Sequence, residues 1–365
     1  MRDNRLARLR ARMHELGVHL AVLSPGDDLR YLAGWSPLRD ERFFALLVAP
    51  DGLALVSPEL AAETASRRVG AEVYPYADAQ GPRPALRAAL ARLGPLPQRV
   101  AVCDDLRADH LLLLQEHLRQ ATFQLVSALT APLRARKDLQ ELEAMRRSQA
   151  AADAAVLAAW TAARPGVSEL EVAEAAAAAA RQAGAESVPF ALVASGPNTA
   201  DPHHEPNRRR LRPEEALLVD VGARWDGYCS DVTRVGFLGQ PVGRYLEVHG
   251  VVERALRAAL DAVRPGVPAC RVDRAAREVI TAAGYGPYFV HRTGHGLGLS
   301  PHEPPSVHGE ERALLEEGMV ITVEPGVYLP GEFGVRLEEA VVVLDSGPEI
   351  LSRLPRDVFP CPGPA

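Results

Sequence analysis

Two stretches of the chain place acids on short apolar segments joined by turns, a pattern suited to divalent-metal chemistry. Residues 216–222 read ALLVDVG and residues 228–236 read YCSDVTRVG, with Asp226-Gly227 between them. Asp-Gly between apolar runs favours a two-residue hairpin turn. A turn centred there sets Asp220 opposite Thr233. Asp231, two residues from Thr233, then falls on the same face, diagonal to Asp220. Residues 319–324 (MVITVE) and 335–344 (VRLEEAVVVL) repeat the device around a turn near Gly331, which puts Glu324 opposite Glu338. Four carboxylates converging in this way repel one another strongly unless cations lie between them. A histidine should complete such a donor set. The segment His291-Arg-Thr-Gly-His295-Gly-Leu-Gly-Leu-Ser-Pro-His302 offers His295, with Gly294, Gly296 and Gly298 expected to hold it in a tight loop and let backbone approach a ligand closely. His203, His204, His291 and His302 are candidates for positioning or polarising a substrate. The other six histidines are read as ordinary core or surface groups.

These acids lie in a segment that repeats. Arg164-Pro165-Gly166-Val167 recurs as Arg264-Pro265-Gly266-Val267, each opening a helix-like stretch. Pro202-His203 recurs as Pro301-His302, and Glu214-Glu215 before the Asp220 strand recurs as Glu316-Glu317 before the Glu324 strand. Offsets near 100 residues imply two similar halves, roughly 140–240 and 241–350, related by a pseudo-twofold axis with a site between them. A long Ala-rich helix is expected over 138–163. Upstream, Leu6, Leu9, Met13 and Leu16 have helical spacing that Gly17 can close. Apolar runs at 43–50 and 53–57 flank Asp51-Gly52, a hairpin signal. Helix-like stretches at 58–69, 83–93 and 106–120 alternate with strands near 99–103 and 122–128. The reading is α/β, with an N-terminal domain over 1–131, a polar connector at 132–140, and a second domain over 132–365.

A length of 365 residues agrees with two domains, and 47% hydrophobic with 24% charged residues is an ordinary soluble composition. Disordered, collagen-like and coiled-coil classes are excluded. No apolar run reaches the roughly 18–20 residues that span a bilayer. The charged N-terminus lacks a signal-peptide core, so a cytoplasmic location is expected. Net charge is −6, and all but one of the 41 basic residues are arginine, Lys137 being the exception. The arginines are scattered and balanced by acids, which reads as a coding bias. Arg208-Arg209-Arg210 reads as a solvated loop, so no nucleic-acid partner is expected. Cys103, Cys229, Cys270 and Cys361 have no paired spacing and form neither a disulfide framework nor a zinc knuckle.

Asp220, Asp231, His295, Glu324 and Glu338 resemble the five-ligand set of the pita-bread metallopeptidases, which include methionine aminopeptidase, aminopeptidase P and prolidase. The strings VDVGARWDGYCSDVTR, HRTGHGLGLSPHEPP, VEPGVY and GVRLEEAVVV look like successive signatures of that family, in order and spacing. The N-terminal segment with RYLAGW looks like the creatinase-type domain of the prolidase and aminopeptidase P branch. The resemblance implies a creatinase-like α/β domain followed by a pseudo-twofold pita-bread α+β catalytic domain. It further implies two divalent ions per subunit, Mn²⁺ favoured over Co²⁺ or Zn²⁺ on an oxygen-rich donor set. Asp220 would hold one ion, His295 and Glu324 the other, and Asp231 and Glu338 would bridge. A bridging hydroxide would attack the carbonyl before proline while Glu324 carries its proton to the leaving nitrogen. His203 and His302 would assist the reaction; His203, His291, His302, Tyr328 and Arg336 would bind or buttress substrate. A homodimer acting on short proline-containing peptides follows from the same resemblance, and the absence of a signal-peptide core and of long apolar runs adds the expectation of a cytoplasmic location with no membrane partner.

One departure bears on the substrate. Many prolidases carry an Arg between the last two glutamates that captures the dipeptide carboxylate; residues 329–334 here are short and lack one. Arg292, or Trp35, Arg39 and Arg42, would have to take that part. The leading expectation is an Xaa-Pro dipeptidase. The alternatives are an aminopeptidase P acting on longer peptides, and a non-catalytic pita-bread module that binds peptides.

Overall fold

In the computed structural model, which describes residues 2–241 and 243–361, two compact units divide the chain at residues 134 and 135. The first begins with α1 (Arg2–Glu15), whose apolar stripe buries Leu9 and Met13. Gly17 closes the helix at φ 62, a left-handed conformation in which a side chain would clash with the backbone. The unit then alternates β1 (Leu20–Leu23), α2 (Asp27–Ala33), β2 (Ala45–Val48), β3 (Leu53–Pro58), α3 (Glu59–Val69), β4 (Glu72–Tyr76), α4 (Arg83–Leu93), β5 (Arg99–Val102), α5 (Ala108–His117), β6 (Thr122–Leu125) and α6 (Ser127–Ala135). Its strands form one sheet in the order β4-β3-β2-β1-β5-β6. The Asp51-Gly52 hairpin is present, with Val48 paired to Leu53. Three short elements escape the periodicity reading: α2, β4 and α6. The expected connector at 132–140 is a correction, because α6 runs through Pro132 to Ala135 and only a few residues separate it from the next helix.

The second unit opens with α7 (Leu139–Ala162), started by a capping box in which Asp138 accepts from the Gln140 and Glu141 amides while Glu141 accepts from the Asp138 amide. It continues through α8 (Glu169–Gln182), β7 (Ser187–Ser195), β8 (Glu215–Trp225), β9 (Tyr228–Cys229), β10 (Val232–Leu238), α9 (Gly243–Ala262), α10 (Ala269–Ala282), β11 (Gly294–Gly296), β12 (Glu303–Val307), β13 (Val320–Val323), β14 (Gly326–Leu329), β15 (Phe333–Arg336), β16 (Glu339–Val342), β17 (Glu349–Ile350) and β18 (Phe359–Cys361). The inferred repeat extends to individual hydrogen bonds. The Gly166 amide donates to the Leu211 carbonyl and the Leu211 amide to that of Val167, just as Gly266 donates to Leu315 and Leu315 to Val267. Helix pairs α7–α8 and α9–α10 each back a sheet, ordered β18-β10-β8-β7 in the first half and β12-β11-β13-β16-β17 in the second.

The register of the first hairpin is the one its Asp-Gly turn dictates: Asp220 pairs with Thr233, and Asp226 and Gly227 both take positive φ. In the second half one register runs through two ladders, with Val323 paired to Glu339 and Gly326 to Arg336. Glu324 and Glu338 fall in the gap between them. Both long strands read from the sequence are therefore interrupted at their acids, Tyr228–Gly236 at Ser230 and Asp231, and residues 335–344 at Leu337 and Glu338.

The glycines around His295 also serve a different purpose from the one expected. His295 sits on a strand, β11, bulged after His295. A Cβ on Gly294 would run into the Thr322 carbonyl and one on Gly296 into the carbonyls of Glu303 and Pro304. Neither residue has a positive φ. These glycines let β11 pack closely between β12 and β13, rather than admitting a ligand to the backbone. Gly294→Ala should therefore destabilise the protein by about 1–3 kcal/mol through overpacking, seen as a lower urea midpoint; an unchanged midpoint would show that β11 has slack.

Candidate metal centre

Asp220 on β8, Asp231 before β10, His295 on β11, Glu324 after β13 and Glu338 before β16 all line one cavity of about 440 Å³. Donor atoms of Asp231, His295 and Glu338 lie within 4.8 Å of one another. His295 Nε2 is 3.3 Å from Glu324 and 3.8 Å from Asp231. Its Nδ1 faces the Gly296 carbonyl at 3.0 Å, an acceptor only, so Nδ1 carries a proton and Nε2 is the nitrogen turned toward the acids.

The electrostatics are those of a site short of positive charge. Burial, then the nearby Glu338, Asp220 and Glu324, push Asp231 well above the usual carboxylate range. Burial and the charges of Glu324 and Asp220 do the same to Glu338. Asp220 is also raised by burial, although Arg336 opposes the shift. Glu324 moves the other way, to about 2: burial opposes its ionisation, but the hydrogen bond with His295 and the charges of His295 and Arg336 outweigh it. Asp220 Oδ1 is buried with no hydrogen-bond partner among the described residues. An orphaned buried carboxylate oxygen beside a cluster of N and O donors is what divalent cations satisfy, so the residues present fit a metal site.

Two arginines brace this cluster. Arg336 donates to Asp220 Oδ2, Thr233 Oγ1, the Tyr328 hydroxyl and the Pro202 carbonyl. Arg234, fully buried, donates to the Thr233 and Glu338 carbonyls and to Glu339. Thr233, opposite Asp220, donates its hydroxyl to Glu338 at 2.7 Å. The Glu338 amide reaches back to the Thr233 carbonyl, and the Glu324 amide to that of Thr293.

The remaining candidates separate cleanly. His203 and His302 line the cavity with exposed rings, and no ring-nitrogen partner is found for either among the described residues. The His302 ring lies 4.2 Å from that of His295. Burial and then the His295 and Arg292 charges lower its pKa to about 4. His291 also lines the cavity, but both its nitrogens are engaged: Nδ1 with the Arg292 carbonyl and Nε2 with the Tyr328 hydroxyl. Because the carbonyl is an acceptor only, Nδ1 donates and the Tyr328 hydroxyl donates to Nε2. Tyr328 itself stands behind Arg336 and His291 and is absent from the cavity wall. His204 is bound to buried Glu169 and lies outside the cavity. Arg39 and Arg42 are held in ion pairs with Asp105 and with Asp40, Glu41 and Asp78 in the first unit. Arg292 lines the cavity with a single hydrogen bond, to Ser306 Oγ at 3.2 Å.

Sequence reasoning missed the apolar wall of Phe190, Leu192 and Pro202. Alternation along β7 could have found it, since Leu192 pairs with Asp220 and Phe190 with Gly222, whose missing Cβ makes room for the Phe190 ring. It also missed Arg234 and the pair Asp273–Arg277. Arg277 donates to the Phe289 and His291 carbonyls, and Thr293 to Asp273, anchoring the approach to β11.

Comparison with known proteins gives a consistent result. A family model described as metallopeptidase family M24 matches residues 143–345, and one described as the creatinase/prolidase N-terminal domain matches residues 5–136. The chain is 37% identical over 364 residues to a probable dipeptidase PepE of Mycobacterium tuberculosis, covering 98% of this chain and 96% of that protein. The fold is similar to a prolidase from Thermococcus sibiricus, with a TM-score of 0.95 at 32% identity and 99% of both chains covered. It is also similar to an Xaa-Pro dipeptidase from Bacillus anthracis, with a TM-score of 0.91 at 30% identity over 98% of this chain and 99% of that one.

If Tyr328 is a brace, Tyr328→Phe should lower stability by about 1–3 kcal/mol, because Arg336 and His291 lose a buried partner. Denaturant unfolding measures the loss, and metal binding should survive; a variant of wild-type stability would refute the bracing role.

Proposed function

The chain belongs to metallopeptidase family M24, and from that premise we propose that it is an Xaa-Pro dipeptidase, cleaving the bond before proline in short peptides. The observation that carries the reading is the make-up of the cavity: a buried acid cluster with one imidazole, an apolar wall, and one cation without an ion-pair partner among the described residues. Its volume of about 440 Å³ suits a ligand the size of a dipeptide.

We assign Asp220, Asp231, His295, Glu324 and Glu338 as the residues that hold two divalent cations. When bound, these would polarise the scissile carbonyl and lower the pKa of water, and the oxygen-rich donor set favours Mn²⁺ over Co²⁺ and Zn²⁺. Phe190, Leu192 and Pro202 offer the pyrrolidine ring an apolar surface. Arg292 offers a fork of N–H donors to the free carboxylate that follows proline in a dipeptide. His203 and His302, with ring nitrogens free, are the groups placed to hydrogen-bond the peptide; at about 4, the His302 pKa keeps it neutral at physiological pH. His291 acts by fixing the wall, held neutral between the Arg292 carbonyl and Tyr328. Glu324 is the carboxylate we assign to moving a proton from water to the departing proline nitrogen, a secondary amine that needs one. Arg336 keeps Asp220 oriented and is itself fully engaged, so its role is to position the site. On the family resemblance the reading extends to a homodimer in the cytoplasm. Among the described residues no helix is long and apolar enough to cross a membrane.

An aminopeptidase P would release the first residue from longer peptides, and a binding module would cleave nothing. Mn²⁺-loaded wild type and Arg292→Ala should be given Met-Pro and Met-Pro-Gly, with products identified by mass. The dipeptidase reading expects wild type to cleave Met-Pro in strong preference, and Arg292→Ala to raise KM for Met-Pro about tenfold or more, the loss of one charge-assisted pair. Preferred release of Met from Met-Pro-Gly would move the protein to aminopeptidase P, and no cleavage with Mn²⁺, Co²⁺ or Zn²⁺ would leave the binding module.

A further inference from the structure

Lys137 is the one lysine among 41 basic residues, in a chain that uses arginine at every other cationic position. It is also buried, its side chain 1% exposed. A single lysine in so arginine-rich a chain directs attention to what surrounds it. The Lys137 amide donates to the Gly318 carbonyl at 2.9 Å, and neighbouring Arg136 forms a bridge with Met319, so this short segment is hooked beside the start of β13. From there Nζ donates to the Ala135 carbonyl at 3.1 Å and lies 3.4 Å from Glu303 Oε2. A compact ammonium with three donors suits this enclosed slot; a planar guanidinium brings five N–H groups and more volume.

Glu303 is 4% exposed and reaches into the turn between β11 and β12. Its Oε1 accepts from the Ser300 amide at 3.0 Å. Its carboxylate occupies the space where a Cβ on Gly298 would be, 2.5–2.8 Å away. The carboxylate thus forms the inner support of the 298–303 turn, and Lys137 anchors that support from outside. His302, next to Glu303, lies on this turn with its ring over His295. A buried ion pair is weak evidence for stability, since well-packed apolar residues often serve as well, so its use here calls for another explanation.

We propose that Lys137 is a positioning residue: through Glu303 it fixes the 298–303 turn and so sets where His302 stands on the cavity wall. The proposal rests on the reading of His302 as a substrate contact for its catalytic consequence, but its structural half stands without that reading. The test uses the full-length Mn²⁺-loaded protein with Lys137→Arg, Lys137→Met and the double variant Lys137→Met/Glu303→Gln, which removes both charges of the pair together. Hydrogen exchange is read first. The amides of the 298–303 turn, Gly298 and Ser300 foremost, should exchange at least about tenfold faster in the double variant while β13 and β16 keep their protection. Unchanged exchange in the turn overturns the proposal whatever the substrate. Hydrolysis of Met-Pro is read second, alone and in a His302→Ala background. The double variant and Lys137→Arg should lose about tenfold or more in kcat/KM with metal content unchanged, and neither change should cost anything further once His302 is gone. Losses that persist in the His302→Ala background overturn the route through His302. Faster turn exchange with no Met-Pro hydrolysis by wild type would retain the structural anchor and reject the dipeptidase reading.

Discussion

The repulsion among four carboxylates in one buried pocket is the constraint around which the second unit is built. Asp220 comes from the middle of β8 and Asp231, Glu324 and Glu338 from three strand ends, and three of the four are raised by burial and by one another. Regular ladders hold Asp220 but not the other three. The strands part at Asp231 and again at Glu324 and Glu338, which frees these residues from regular pairing and lets their side chains converge. The amides freed in this way find partners elsewhere: Glu338 donates across the halves to the Thr233 carbonyl, and Glu324 donates within the second half to that of Thr293, beside His295. Arg234 and Arg336 complete the stitching, each joining groups from the first hairpin to groups from the second. The geometry survives because the backbone and the two arginines hold it, although the acids themselves would push it apart.

The halves share a backbone plan but use their buried acids differently. In the first, Glu169 at the start of α8 gathers Ser195, Asn198 and His204, fixing the segment that leads to His203. In the second, Asp273 within α10 holds Arg277 and Thr293, fixing the approach to His295. One histidine stands at each end of this arrangement with its ring open to the cavity, His203 from the first half and His302 from the second. A duplicated scaffold has thereby come to present unlike faces to one cavity: an apolar wall from β7, and a cationic and imidazole wall from the 291–302 segment.

Much of this was legible in the sequence where the signal is local. The Asp226-Gly227 turn determines the register that pairs Asp220 with Thr233, and the Arg-Pro-Gly-Val repeat locates two helix starts whose loop hydrogen bonds match. The four acids and the histidines that line the cavity could be named from residue type and spacing, although His204, named with them, falls outside it. What stayed hidden depends on distant partners. Periodicity predicts a continuous strand through Glu338, and only tertiary competition for its amide by Thr233 breaks it. The glycines around His295 read as ligand-facing positions, but what crowds them is backbone from the neighbouring strands, at Glu303 and Pro304 seven or eight residues on and at Thr322 nearly thirty residues on. Arg234 reads as one basic residue in a strand; nothing nearby in sequence announces that Leu354 and Pro355 supply carbonyls to it. α2 is only seven residues long, while β4 and α6 each contain a proline, which argues against strand or helix where tertiary packing nevertheless forms one.

The central claim is that this frustrated acid cluster is completed by cations. Equilibrium dialysis of the metal-stripped protein against Mn²⁺, with bound metal counted by mass spectrometry, tests it most directly. The account predicts two ions per chain in the wild type, at most one in Glu338→Gln, and an unchanged two in a control such as His204→Ala, whose ring lies outside the cavity. A wild type that binds no Mn²⁺, or a Glu338→Gln variant that binds as much as the wild type, would contradict it.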